Sequence, residues 1–146
     1  ISQFEHVIDQ KEFRMKFIKE ELQKNNFPLD SIEIVIGRSG LVKPVSQGVY
    51  RINESMINDL TEGIIGKHAT NLGAIMAYDI ATEIGKEAYI ANPVVVDELS
   101  DVARLTGHPL FERRSIYHAL NHKHVAAKYA KSMNKKHEDL NLIVCH

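Results

Sequence analysis

Phe4, Val7, Ile8, Met15, Ile18 and Leu22 recur at helical spacing with Lys and Glu between them. That pattern predicts an amphipathic helix ending near Asn25 and Asn26, before the break at Phe27 and Pro28. Residues 32–36 form a short β-branched run whose nearly all-apolar character predicts a strand covered on both faces. A Gly-, Ser- and Pro-rich loop follows, through Gly48. Residues 49–52 read as a brief strand, and Asn53 as the N-cap of a short helix that runs through Leu60 and stops before Gly63. Leu72, Ile75, Met76, Ile80 and Ile84 predict a second strong helix over 71–84, with Gly73, Ala77 and Ala81 at four-residue steps allowing close approach of a neighbour. Residues 88–91 and 94–96 read as strand segments interrupted by Asn92-Pro93, because proline cannot donate to a central ladder. Ser115 is a candidate cap for a third helix reaching about Asn134, and 140–145 reads as a last, buried strand. Helix followed by strand occurs three times, the order of an α/β layered domain with a largely parallel sheet.

The composition adds one ordinary domain over residues 1–146. The chain has 146 residues, 44% of them hydrophobic and 25% charged, with one Cys and no Trp. These values exclude a disordered, collagen-like or disulfide-scaffold chain. Eighteen Lys plus Arg against 19 Asp plus Glu leave a formal charge of −1, without a block of like charges. No electrostatic source for gripping nucleic acid or an anionic membrane is evident. No apolar run is long enough for a membrane helix and no leader pattern opens the chain, so a cytoplasmic protein is expected. The start at Ile1 without Met and the stop at Val144-Cys145-His146 suggest a piece of a longer protein.

In α/β sheets, ligands bind beyond the carboxyl ends of the strands, so polar residues there carry the first suspicion. Three candidates follow apolar runs: Arg38 in Gly37-Arg38-Ser39-Gly40, Asp97 in Val96-Asp97-Glu98, and His146 after Val144-Cys145. Arg offers a planar fork for carboxylate or phosphate, a carboxylate orients an attacking oxygen, and His donates to developing negative charge. Together they suit transfer of an anionic group. Solvated strand ends would place the same residue types there, and neither standard glycine-rich phosphate cradle occurs. His118 and His122 stand four apart, yet Ala119 occupies the position where a zinc protease needs Glu and no third ligand is marked, so no metal ligands are assigned. Cys145 reads as a core residue rather than a nucleophile.

Four segments in this order carry a resemblance: Gly37-Arg38-Ser39-Gly40-Leu41; Gly66-Lys67-His68-Ala69-Thr70-Asn71-Leu72-Gly73-Ala74; Asn92-Pro93-Val94-Val95-Val96-Asp97-Glu98; and Arg113-Arg114-Ser115-Ile116-Tyr117-His118-Ala119-Leu120-Asn121. Through them, over nearly its whole length, the chain resembles the butyrate and branched-chain carboxylate kinases of the acetokinase family. The resemblance implies an incomplete ribonuclease-H-like half of an actin-like ATPase fold. The family's first strand with its phosphate loop would precede Ile1, and the second phosphate loop and second domain would follow His146. It implies reversible transfer of the ATP γ-phosphoryl group, with Mg2+, to a short-chain carboxylate, giving an acyl phosphate. It also implies a homo-oligomer formed through the second domain, and a fragment inactive alone.

Residue by residue, the resemblance assigns Arg38 to holding the carboxylate or the transferring phosphoryl group. Asp97 matches the acidic residue near the nucleophile and metal, and His118 the histidine that stabilises the in-flight phosphoryl oxygens. His146 matches a histidine beside the phosphate loop, while His68 and Asn71 match a polar cluster at the acyl site. Where acetate kinases carry two bulky valines after the arginine, this chain has Ser39-Gly40-Leu41. Space beside Gly40, lined also by Tyr117, is therefore expected to favour butyrate, each extra buried methylene contributing about 0.8 kcal/mol. The alternatives are an acetate or propionate kinase, against which Gly40 weighs, and a noncatalytic binding domain that kept the fold.

Overall fold

The computed structural model describes residues 4–145, which form two compact units. The first comprises Ile1–Lys43 and Gly48–Ala91, the second Pro44–Gln47 and Asn92–His146.

In the first unit a 3₁₀ turn, Val7–Gln10, leads into helix α1, Lys11–Lys24. Met15 is buried and Ile18 and Leu22 half-buried, the face expected from their spacing. Strands β1 (Ile34–Gly37), β2 (Val49–Arg51) and β3 (Glu87–Ala91) make a sheet in the order β1-β3-β2. β1 runs parallel to β3, pairing Ile34 with Glu87 and Gly37 with Ile90, whereas β2 is antiparallel to it. The sheet is thus mixed rather than largely parallel. The two-sided cover expected for β1 is absent among the described residues: Ile34 and Ile36 are 53% and 56% exposed, because β1 is an edge strand and helix packing reaches only the face of Val35 and Gly37.

Helix α2, Glu54–Glu62, begins and ends on local signals. The Asn53 side chain accepts the Met56 N–H at 2.9 Å, and Gly63 closes the helix at φ 69°. Helix α3, Asn71–Glu83, presents Leu72, Ile75, Ala77 and Ala81 to the core, against β1 and β3 with buried Ala88 and Ile90. Its small residues do what their spacing predicts. A Cβ on Gly37 would collide with the Gly73 carbonyl and lie 2.9 Å from the Ala77 Cβ, so helix and strand can approach this closely only through glycine.

In the second unit, Asn92 takes a left-handed conformation (φ 39°) and the chain turns through Pro93. Residues 94–96 are not a strand: only Val96 makes a ladder contact, a single parallel bridge to Val45. Helix α4 is the single turn Asp101–Arg104, and α5 spans Ala119–Ser132. Ser115 does not cap α5; His118 occupies that position, and the Ser115 hydroxyl instead donates to the Val96 carbonyl at 2.6 Å. Residues 140–145 adopt no strand, and Cys145 is exposed rather than in a core. A strand exists only where another backbone pairs with it, and among the described residues none pairs with this run. Pro93, Val95, Val96, Ala119 and Ala130 are buried. No helix among the described residues is long and apolar enough to cross a membrane.

Candidate functional site

The sequence candidates divide between the two units. In the first, Arg38, Gly40, His68 and Asn71 gather around the first turn of α3. β1 delivers the chain to Arg38, whose side chain is exposed and whose guanidinium has no partner among the described residues. Its backbone is firmly seated, because the Arg38 carbonyl occupies the space that a Cβ on Gly73 would need. Ser39 and Gly40 beyond it are buried.

Asn71 ties this end together. Its Oδ1 accepts the Leu41 N–H at 3.0 Å, while its Nδ2 donates to the Leu60 carbonyl at 3.1 Å and the Gly66 carbonyl at 3.0 Å. Only 4% of the residue is exposed. Both amide hydrogens are engaged by backbone, so Asn71 positions the loop after β1 rather than offering donors to a ligand. The space expected beside Gly40 is filled by this same residue. A Cβ there would overlap Asn71 Oδ1 and Cα and stand 2.5 Å from its N. Gly40 is a point of close approach, not the wall of a cavity.

His68 is exposed and anchored. Its Nδ1 lies 2.9 Å from the Thr70 hydroxyl and accepts the Thr70 N–H at 3.2 Å, which places the proton of the neutral ring on Nε2. Beside it lies a cavity of about 230 Å3, with Val7, Ile8, Leu60 and Leu72 as apolar wall and His6, Lys67 and His68 among its polar lining.

In the second unit Asp97 is half-buried and held by three hydrogen bonds to its carboxylate and one from its backbone. Its N–H donates to Val45 at 2.9 Å. Arg104 donates from Nη1 to Oδ2 at 2.8 Å and from Nη2 to Oδ1 at 3.1 Å, and the Leu99 N–H reaches Oδ1 at 3.1 Å. The Arg104 hydrogen bonds, helped by the Leu99 amide, hold the Asp97 carboxyl below its ordinary value. Arg104 was not legible as a functional residue. The available signal was an Arg seven positions after the Asp that follows the apolar run 94–96, on a turn capped by Ser100, whose hydroxyl accepts the Ala103 N–H.

Two further segments brace this pair. Arg113 donates its N–H to the Arg104 carbonyl at 2.8 Å and its guanidinium to the Ala103 carbonyl at 2.9 Å. Glu98 meets Lys123 on α5 at 2.6 Å, linking the Asp97 loop to the helix that His118 begins. Tyr117 donates its N–H to Val94 at 2.9 Å, and its ring meets His122 edge-on at 5.6 Å. Asp97, Tyr117 and His118 therefore share one hydrogen-bonded framework. His146 lies outside the described residues. No group of three His, Cys, Asp or Glu among the described residues could hold a metal ion.

No protein-family model matches the chain. Among curated proteins it is 49% identical over 146 residues, all of this chain, to butyrate kinase 1 of Clostridium acetobutylicum, and 48% identical over 143 residues, 98% of this chain, to butyrate kinase 2 of the same organism. It spans 41% and 40% of their lengths. Among solved structures, the crystal structure of acetate kinase from Entamoeba histolytica superposes with a TM-score of 0.57 at 17% identity, covering 82% of this chain and 32% of that one. In sequence the chain is similar to these two butyrate kinases, and in fold to acetate kinase.

Proposed function

We propose that this chain is part of a cytoplasmic carboxylate kinase that transfers the γ-phosphoryl group of ATP reversibly to a short-chain carboxylate, butyrate first among them. The observation that carries this reading is the 48–49% identity to two butyrate kinases along essentially the whole chain. A carboxylate oxygen of the substrate attacks the γ-phosphorus, the bond to the β,γ-bridging oxygen breaks, and ADP leaves with that oxygen, giving butyryl phosphate. Little covalent help is needed, so positioning and charge stabilisation are the tasks left to the protein.

Arg38 suits the anion clamp because its fork is exposed on a backbone that α3 holds still. His118 is assigned to the equatorial phosphoryl oxygens, Asp97 to orienting the reacting group, Tyr117 to lining the acyl side and His146 to the phosphates. His68 presents Nε2–H as a donor beside the cavity, whose aliphatic wall suits an acyl tail better than the filled space at Gly40. Magnesium is the ion expected with ATP. The described residues do not fit a protein-held ion, since no three ligands converge and Asp97 is engaged by Arg104, so no step is assigned to it. Self-association belongs to the part of the protein outside this chain.

The test is acyl hydroxamate formation by the full-length protein with MgATP and butyrate, isobutyrate, propionate or acetate under one condition. Strongest signal on the four-carbon acids is expected. Strongest signal on acetate would keep the reaction and change the substrate, and no signal with any acid would refute the proposal in favour of a binding domain.

A further inference from the structure

We infer that Arg104 is a positioning residue for Asp97, fixing the carboxylate so that a single acceptor site on Oδ2 faces the reacting group. This rests on the carboxylate-kinase reading above. A carboxylate has about four lone-pair sites. On Oδ1 both are occupied, by Arg104 Nη2 at 3.1 Å and the Leu99 N–H at 3.1 Å. On Oδ2 Arg104 Nη1 takes one at 2.8 Å, and nothing among the described residues takes the other.

The two-point fork prevents rotation of the carboxylate about its Cβ–Cγ bond, which a single donor would permit. The fork itself is held. Its Nη2 also reaches the Leu99 carbonyl at 3.4 Å, and Arg113 fastens the α4 backbone through the carbonyls of Ala103 and Arg104. On the other side, the Ser115 hydroxyl and the Val45 carbonyl fix the Val96–Asp97 peptide group, the first through its C=O and the second through its N–H. So held, Asp97 is an orienting acceptor, not a general base that takes up a proton. The Arg113–Ser115 stretch of the fourth sequence motif then has a physical task, as the clasp that keeps Arg104 and Asp97 in register.

The test is steady-state kinetics of the full-length protein with MgATP and butyrate, comparing wild type, Arg104→Gln, Arg104→Lys, Asp97→Asn and the Arg104→Gln/Asp97→Asn pair, with thermal midpoints measured alongside. Arg104→Gln is expected to lower kcat about 10²-fold through misplacement of Asp97, with KM for butyrate little changed. Arg104→Lys, which restores charge and one bond, should recover part of that loss. Adding Arg104→Gln to Asp97→Asn should lower kcat no further, because the two residues act as a unit. A purely structural Arg104 would lower the thermal midpoint and leave kcat of the folded protein unchanged, which overturns the inference, as would independent effects of the two substitutions. If Arg104→Gln does not fold, Arg104→Lys decides: kcat equal to wild type overturns the assignment, and reduced kcat at unchanged KM supports it. Wild-type protein inactive on every acid would remove the kinase reading and this inference together, whereas active wild type with an insensitive Arg104 would remove only the inference.

Discussion

Replacing Asn71 by Ala removes three side-chain hydrogen bonds that join the loop after β1, the end of α2 and the segment before α3. Each such bond contributes about 1 kcal/mol net, and each buried group left without a partner costs about 1 to 3 kcal/mol, so the loss should be about 3 to 5 kcal/mol. Urea denaturation of the full-length protein, with amide hydrogen exchange at Leu41 as the local probe, measures it. The same change frees the Arg38–Leu41 loop, so on the proposed function acyl hydroxamate formation from butyrate should fall on the order of 10²-fold. Asn71→Asp makes the test sharper. Asp keeps the acceptor for Leu41 but aims a carboxylate at the Leu60 and Gly66 carbonyls, where Asn had donors. The charged form is disfavoured in the folded protein, so the folded pKa of the new carboxyl rises above its unfolded value. Its destabilisation should therefore ease as pH falls through that raised value, unlike that of Asn71→Ala. A loss under about 1 kcal/mol for Asn71→Ala, within the range of one ordinary hydrogen bond, would refute the account of Asn71 as the tie of this site.

Gly40→Ala and Gly73→Ala should each destabilise by about 1 to 3 kcal/mol or more in urea melts, since each adds a Cβ onto backbone or onto Asn71; Gly40→Val should depress turnover of every acid alike instead of shifting preference towards acetate. Arg38→Lys should lower kcat/KM by about 10- to 100-fold in the hydroxamate assay, because an ammonium cannot reproduce two parallel bonds to an anion; near-normal turnover would exclude the clamp. The folded-state pKa of Asp97 is depressed from an ordinary value near 3.8, so its pairing stabilises the fold above that value and is lost as pH falls through the lower one. Urea midpoints of wild type and Asp97→Asn should accordingly differ at pH 7 and converge in acid.

Local chemistry was readable where it acts over a few residues. Asn53 and Gly63 bracket α2 as their types dictate, and the four-residue steps of Gly73, Ala77 and Ala81 give α3 its close contact with β1 and β3. Arg38 and Asp97 stood out because polar groups directly after apolar runs are easily seen. Asn71 was seen in its motif, but not its task, since its three partners lie five to thirty positions away. Gly40 misled for a related reason: an absent side chain suggests space, and only packing shows what fills it.

The sequence alone therefore determined helices α1, α2 and α3, the Asn53 and Gly63 ends of α2, the α/β class and the resemblance to carboxylate kinases, because helix periodicity, local capping and ordered motifs are properties of contiguous residues. Tertiary structure decided which apolar runs became strands, since residues 94–96 and 140–145 have the composition of strands but, among the described residues, no ladder partner beyond the bridge at Val96. It also decided that Asp97 answers to Arg104 and that Asn71 serves backbone. Those pairings depend on where distant segments meet, and a pairing energy exists only once two backbones or two charges have been brought within hydrogen-bonding distance.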